Sequence, residues 1–129
     1  MTLHAFDPAN ETETVIADTR AGTRPVGALL PALAEATLYV PSRAEVQADG
    51  SGFAPLLLGE AGQPLVAAFT APDRALLHRD HAEYLLGMPG DAFFRRLPPG
   101  YGVVVNPGFA AQLVVDAEAI ARLQATPAE

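Results

Sequence analysis

The sequence predicts one α+β (or α/β) domain, a layered fold in which a mixed β-sheet of about five to six strands is flanked by helices. Three observations predict this class. Short β-branched or aliphatic runs alternate with segments of helical periodicity, and two of the runs are joined by a loop of hairpin length. A length of 129 residues is typical of one domain and suffices to bury a core without disulfides. We expect the domain to span residues 10–125, between a flexible tail at 1–9 and a frayed end at 126–129.

The first predicted helix follows Asn10. Asn10 and Glu13 have the spacing of a capping box, and Gly22 is placed to end the helix. Only Val15 and Ile16 are strong apolar anchors, so this helix should pack lightly on the body of the domain.

A second helix is predicted at residues 28–35, where leucines at positions 29, 30 and 33 repeat at helical spacing. Pro31 should lie in or next to its first turn, because an interior proline costs about 3 kcal/mol.

Residues 37–40 then predict a strand that Pro41 stops. Two more strands are predicted at 54–58 and 64–70, and the five-residue connection 59–63 suits a hairpin loop.

A third helix should begin just after Thr70, which can cap it. Pro72 is then in the first turn, and Asp73 complements the positive end of the helix dipole. We expect Leu76 and Leu77 to face the core, and residues 82–86 to form another short strand.

A fourth helix is predicted to start at Pro89-Gly90-Asp91 and to end before Pro98-Pro99. Phe93, Phe94 and Leu97 lie on one side of it, where core packing is the default interpretation of aromatic residues at this spacing. Arg95 and Arg96 lie near its negative end, which favours cations.

The central strand is predicted within residues 100–108, Gly-Tyr-Gly-Val-Val-Val-Asn-Pro-Gly. Three consecutive valines between turn residues indicate a short strand that is buried on both faces. Asn106-Pro107-Gly108 suits a tight turn, with Pro107 at the second turn position and Gly108 at the third. A last strand at 112–115 leads to a terminal helix that Asp116 caps and Ile120 anchors.

The composition excludes several classes of function. The net charge of −7 disfavours nucleic acid and anionic membrane surfaces as partners. The absence of cysteine excludes disulfides, thiolate chemistry and zinc–thiolate sites. The N-terminus has neither the basic nor the apolar region of a signal peptide, so we expect an acidic, soluble, cytoplasmic protein.

The order of motifs resembles a known family. An Ala-Leu-rich helix runs into Leu-Tyr-Val-Pro at 38–41, a hairpin ends in Phe-Thr at 69–70, and Asn-Pro-Gly follows at 106–108. Over residues 26–123 this order is similar to the N-terminal domain of the SseB family, named for a bacterial enhanced serine sensitivity protein. The resemblance implies no catalytic activity and no catalytic residues. Ala71 departs from the family pattern, in which a hydroxyl residue often follows Phe-Thr, and the second domain of longer members is not expected here.

One cluster has side chains that could bind a metal. His78, Asp80 and His81 include imidazole and carboxylate ligands that suit divalent transition metals. No third well-spaced ligand is evident nearby, and histidines also complement the negative end of a helix, so we interpret the cluster as a solvated helix terminus. We therefore predict no cofactor and no metal. A metal-binding or small-molecule-binding domain that uses this region is the alternative.

Two loops at the ends of core strands are the best candidates for a binding surface, because binding residues often lie on such loops. They are the junction of residues 69–74 and the turn of residues 106–109 with the nearby tyrosine. The candidate residues are Phe69, Thr70, Arg74, Tyr101, Asn106, Pro107 and Gly108. Capping by Thr70 and a purely structural Asn-Pro-Gly turn would explain the same residue types.

The functional prediction is a non-enzymatic bacterial protein-interaction or regulatory module. The sequence contains no recognisable catalytic set, since the two serines, Ser42 and Ser51, lie outside any nucleophile-elbow pattern. The predicted partner is a protein of unknown identity. Ala-rich helices and exposed aliphatic strands would also allow a homodimer.

Overall fold

A computed structural model describes residues 8–49, 51–60, 62–76, 80, 82–109 and 112–125. Within these ranges the chain forms five α-helices, six β-strands and a 3₁₀ turn at Val26–Ala28. In chain order the elements are α1 (Glu11–Ala21), α2 (Leu29–Glu35), β1 (Thr37–Ser42), β2 (Leu57–Glu60), β3 (Gln63–Ala68), α3 (Pro72–Ala75), β4 (Tyr84–Pro89), α4 (Gly90–Arg96), β5 (Gly102–Val105), β6 (Leu113–Val115) and α5 (Ala117–Ala125).

The strands form two sheets, which confirms the α+β class but not a single five- to six-stranded sheet. A four-stranded mixed sheet has the order β2-β3-β5-β6, in which β3 and β5 are parallel and the other pairs antiparallel. The second sheet is the antiparallel pair β1-β4. Tyr39 of β1 and Phe69 exchange two backbone hydrogen bonds of 2.8 Å. Because this contact with the end of β3 is an isolated bridge, the sheets meet without sharing a ladder.

The central strand β5 has a core on each face, as predicted. Successive side chains of a strand point to opposite faces, so Val103 and Val105 pack on one side and Val104 on the other. The first side carries the larger core, which α1, α2, α4 and α5 cover with Ile16, Leu33, Phe93, Phe94 and Ile120. The second side is covered from α3 and from residues 82 and 109, and contains Ala67, Phe69, Ala75, Ala82 and Phe109.

The helix ends follow the predicted chemistry, although α1 is held more firmly than its apolar residues suggest. Asn10 caps α1 by accepting from the Glu13 N–H, and Gly22 ends it at φ 83°. Ile16 and Glu13 are both fully buried, so the prediction of light packing is wrong. In α2 the proline falls at the third position, inside the first turn as expected.

The strand boundaries differ from the prediction in three places. Pro41 does not stop β1, because its carbonyl still accepts from the Leu56 N–H while the chain stays extended to Ser42. The β2–β3 hairpin closes more tightly than a five-residue loop, with Glu60 opposite Gln63. β4 was predicted at 82–86 but lies at Tyr84–Pro89, because in its pairing with β1 the last residue of β4 is opposite Thr37.

The junction after β3 also differs from the prediction. Ala71, not Thr70, is at the N-cap position of α3, and no side chain caps this helix. Leu76 is 55% exposed and therefore does not face the core, and Leu77 lies outside the described residues. The prediction failed here because the Thr70 hydroxyl is engaged in a tertiary hydrogen bond instead.

From α4 onward the chain follows the prediction closely. Phe93, Phe94 and Leu97 are buried on one side of α4. The Asn-Pro-Gly turn is closed by the Phe109 N–H, which donates to the Asn106 carbonyl. Asp116 caps α5 by accepting from the Ala119 N–H at 2.8 Å. No helix in the described part of the chain is long and apolar enough to cross a membrane.

Candidate functional site

Two of the predicted binding residues, Thr70 and Arg74, donate to a buried carboxylate from α1. The side chain of Glu13 is fully buried and accepts from Arg74 in bidentate geometry, at 3.0 Å from Nε and 2.8 Å from Nη2. It also accepts from the Thr70 hydroxyl at 2.5 Å and from the Ala9 N–H at 2.8 Å. Four donors therefore satisfy the carboxylate, which is the condition for burying a charge at acceptable cost.

Asn106 completes this cluster from the end of β5. Its Nδ2 donates to the Thr70 hydroxyl at 2.9 Å, and its Oδ1 accepts from the Thr70 N–H at 3.2 Å. Since the hydroxyl has a single proton and donates it to Glu13, the hydroxyl is the acceptor in its contact with the amide. Asn106 has φ 54°, a left-handed conformation that asparagine adopts more readily than most residues. We call Glu13, Thr70, Arg74 and Asn106 the buried network.

The buried network lies where the parallel strands β3 and β5 end. Asn10 connects it to α1 a second time, because its Oδ1 caps the helix while its Nδ2 donates to the Thr70 carbonyl at 2.9 Å. The Arg74 guanidinium also lies 5.2 Å from the centre of the Phe109 ring. The network thus joins α1, α3 and the turn after β5, so it holds the N-terminal helix on the sheet.

The buried network also sets the ionisation of Glu13. Burial raises the pKa of this carboxyl, because it penalises the charged form. The hydrogen bonds from Arg74, Thr70 and the Ala9 N–H, together with the guanidinium charge, outweigh burial and leave the pKa below its ordinary value of 4.5. Glu13 is therefore an anion near neutral pH.

This lowered pKa predicts an acid-dependent loss of stability. A carboxyl with a lower pKa in the folded than in the unfolded chain stabilises the fold above the unfolded pKa, and that contribution disappears as the pH falls through the folded pKa. Glu13→Gln should be less stable than wild type at pH 7, and this difference should shrink as the pH falls below about 4.5. Urea unfolding between pH 7 and about pH 3 measures it.

The matched control is Glu11→Gln, which changes an exposed carboxyl in the first turn of the same helix. At pH 7 it should cost less stability than Glu13→Gln, because the exposed side chain of Glu11 is not part of the buried network. A Glu13→Gln difference from wild type that does not change with pH would contradict the assignment of a lowered pKa to Glu13.

The remaining predicted residues of the two loops serve the core and the turn. Phe69 is fully buried in the second core, and Pro107 is also buried. The Gly108 N–H donates to Gln112 Oε1 at 2.9 Å, and this glycine has φ 90°. These placements agree with the structural interpretation of the loop residues. Binding through them stays a prediction.

Tyr101 lies apart from these residues and lines an apolar pocket of about 370 Å³. The pocket lies where α4 and the loop after it meet β2, β3 and β4 on the larger-core side. Its volume is within the range of ligand sites, which starts at about 300 Å³. The main apolar lining residues are Phe53, Leu57, Met88, Phe93, Leu97 and Tyr101, and Arg43 and Arg96 also line it. We call this site the arginine-flanked pocket.

The two arginines of the pocket differ from the other arginines that the structure describes. The side chains of five arginines donate to a carboxylate or a carbonyl: Arg20, Arg24, Arg74, Arg95 and Arg122. Arg43 and Arg96 are exposed, and neither side chain has a hydrogen bond or ion pair with the described residues. The lining of the pocket, as far as it is described, contains no acidic residue. The pocket is therefore locally positive on a chain of net charge −7.

Two other depressions lie beside α5, with volumes of about 420 and 240 Å³, and both are more open to solvent. Arg95 and Arg122 line the larger one, but they already form ion pairs with Asp91 and Glu118. The arginines of these depressions therefore already have ion-pair partners, unlike Arg43 and Arg96 of the arginine-flanked pocket.

The histidine cluster lies largely outside the described residues. Asp80 is an exposed turn residue, whereas the positions of His78 and His81 are not described. The described ranges contain no group of three or more His, Cys, Asp or Glu side chains that could hold a metal ion. The metal-binding alternative stays a prediction from the sequence.

Sequence reasoning missed the partners that complete both sites. Glu13 is explained by helix capping alone, and nothing local indicates that Arg74 binds it across 61 positions. In the same way, Arg43 and Leu57 belong to segments far from Arg96 in the chain. The run of Leu56 to Leu58 gave only a weak signal, because a uniform run does not show which side chains face inward. In the structure Leu57 is 43% exposed.

Comparisons with known proteins identify a family for the chain. No curated protein and no solved structure matched the chain in the corresponding searches. The family model described as the SseB protein N-terminal domain matches residues 12–122, which is most of the chain. The matched range includes all four residues of the buried network and all the residues named for the arginine-flanked pocket. The chain therefore belongs to the family of SseB N-terminal domains.

Proposed function

We propose that this protein is a non-enzymatic interaction module of the bacterial cytoplasm, which binds another protein through the arginine-flanked pocket. The observation that carries this proposal is the combination of an apolar depression with two arginines that have no described side-chain partner. Apolar pockets with a few convergent polar groups are the usual form of a recognition site. Aromatic and arginine side chains are also enriched where proteins bind one another.

The surroundings of the pocket support a protein partner. Leu57 on its lining is 43% exposed. On the neighbouring strand β4, Tyr84 is 37% exposed and shares a face with the lining residue Met88. β2 is at the edge of its sheet, and β4 pairs only with β1 among the described strands. Edge strands beside an exposed apolar patch favour contact with another chain.

The state of the buried network supports a non-enzymatic role. Glu13 is its only carboxylate, and its lowered pKa makes it a weak base near neutral pH. The carboxylate is also fully buried and has four donors. A group in this state is suited to holding α1 in place, and poorly suited to proton transfer with a substrate.

Site-specific photocrosslinking in cells of the source organism tests the proposal. A photoreactive amino acid placed at Leu57 should give a discrete adduct with another protein after irradiation. The matched control is Val114, an aliphatic strand residue with 55% exposure that is not part of the pocket lining. Since both positions are exposed, collision alone would label both equally.

Two results would contradict the proposal: no adduct at Leu57, or the same adducts at Leu57 and Val114.

A homodimer is a further expectation, and an adduct of twice the monomer mass would reveal it. The alternative function, in which His78, Asp80 and His81 form a metal or small-molecule site, predicts bound metal in the purified protein. Elemental analysis measures that directly.

A further inference from the structure

We propose that the arginine-flanked pocket receives one apolar side chain of an acidic peptide segment, whose carboxylates on either side of that anchor bind Arg43 and Arg96. The inference rests on the proposed function and specifies the chemistry of the partner. It assigns the anchor to the floor of the pocket and the acidic residues to its rim.

The charges of the pocket select the sign of the partner. Arg43 and Arg96 are both exposed, and their guanidinium groups are planar donors that suit carboxylates in bidentate geometry. Every other described arginine has at least one side-chain donor engaged by an oxygen of the chain. The two described arginines whose side chains have no described hydrogen bond or ion pair both line this pocket, so an acidic partner matches it best.

The lining selects an apolar anchor. Phe53 and Met88 are partly exposed and Leu57 is 43% exposed, whereas Phe93 and Leu97 are buried. An inserted aromatic or aliphatic side chain would cover this surface, and methionine adapts well to such a group. An entirely polar acidic segment would contact the rim and leave the apolar lining in water.

The positions of the two arginines favour a peptide over a small carboxylic acid. Arg43 follows β1, whereas Arg96 is the last residue of α4, so the two guanidinium groups approach the pocket from different elements. A single carboxylate on a small apolar molecule would engage one of them. A peptide with acidic residues before and after its anchor can engage both, and the adjacent edge strand β4 is suited to an extended chain.

The overall charge of the chain does not prevent this binding. The net charge of −7 repels an acidic peptide at long range, but exposed charges are largely screened beyond about 8 Å at physiological ionic strength. A carboxylate that contacts a guanidinium is well inside that distance. The local pair therefore outweighs the general repulsion once the anchor is seated.

The experiment titrates the ¹⁵N-labelled full chain with four defined probes, observed by NMR. The first is a capped peptide, Asp-Glu-Gly-Phe-Gly-Glu-Asp. The second has glycine in place of its phenylalanine, the third has lysine in place of each acidic residue, and the fourth is dodecanoate. The first peptide should bind and shift the amide resonances of Leu57, Met88 and Tyr101. The second and third should each bind at least about tenfold more weakly.

Substitutions of the arginines separate charge at the pocket from charge elsewhere. Arg43→Gln/Arg96→Gln should weaken binding of the first peptide about tenfold, since each exposed pair contributes modestly. The matched control is Arg20→Gln/Arg24→Gln, which changes the net charge equally at two arginines of the α1 region that do not line the pocket. This variant should bind the first peptide as wild type does.

Each remaining outcome overturns the inference. Equal binding of the acidic and lysine peptides would show that charge does not select the partner. If dodecanoate binds and none of the three peptides does, the pocket is a site for small amphipathic acids. Binding of none of the probes would exclude an acidic apolar segment as a sufficient ligand. The crosslinking result at Leu57 is independent of these titrations, so failure here leaves the proposed function standing if that adduct forms.

Discussion

Replacing Arg74 by methionine is expected to lower the free energy of unfolding by about 3–5 kcal/mol, because it leaves the buried carboxylate of Glu13 without its cation. Methionine keeps much of the apolar length of arginine, so lost packing contributes little to this value. Domains of this size have total stabilities of about 5–15 kcal/mol, so the variant should unfold at much lower urea concentration. Urea unfolding at pH 7 measures the change.

Two further variants separate the buried pair from arginine side chains in general. Arg24→Met removes an ion pair with Asp18 in which both side chains are about 40% exposed, and should cost less than about 1 kcal/mol. Adding Glu13→Gln to Arg74→Met should recover part of the lost stability, because the uncompensated charge is then gone. If Arg74→Met is no more destabilising than Arg24→Met, the buried network does not hold α1 as described.

Replacing Gly90 by alanine is expected to have an effect of similar size for a steric reason. A Cβ at this position would lie 1.9 Å from the Leu33 carbonyl oxygen and 2.9 Å from its carbon. These are backbone atoms of α2, so no side-chain rotation relieves the overlap. Overpacking usually costs about 1–3 kcal/mol, and we expect a loss at or above the upper end of that range. The measurements are urea unfolding and the thermal midpoint.

The control is Gly27→Ala, where an added Cβ meets nothing within 4 Å. Glycine to alanine at a compatible position stabilises a protein by up to about 1 kcal/mol, because the unfolded chain has less freedom. A Gly90→Ala variant that unfolds like Gly27→Ala would mean that α2 and α4 are not packed as closely as described. The Gly90 N–H donation to the Ala36 carbonyl at 2.7 Å supports the close approach.

Neither Gly90 nor any residue of the buried network lines the arginine-flanked pocket. The buried network fixes α1 and α3 at one end of β3 and β5, whereas Gly90 fixes the start of α4 against α2. The exposed end of α4 carries Arg96 to the pocket. The pocket therefore depends on the packing of α4, and a binding study on any variant should first establish that α4 is still in place.

The sequence by itself determined the local features of this protein. The caps at Asn10 and Asp116, the left-handed end of α1 at Gly22, and the Asn-Pro-Gly turn follow from residues within a few positions of each other. The burial of the valines of β5 on both faces is likewise predicted by a local pattern, since three consecutive valines between turn residues indicate it. The family assignment also follows from the sequence, because the resemblance rests on the order of Leu-Tyr-Val-Pro, Phe-Thr and Asn-Pro-Gly along the chain.

Only the tertiary structure decided which residues meet. Thr70 matches a helix cap by its local sequence, yet its hydroxyl donates to Glu13, which is 57 positions away. The division into two sheets, the tight β2–β3 hairpin and the convergence of Arg43 and Arg96 on one pocket depend in the same way on contacts between distant segments. Local propensities are worth about 1 kcal/mol or less per residue. A buried, charge-assisted hydrogen bond or a full ladder of strand pairs outweighs these propensities. Local sequence patterns therefore could not predict these features.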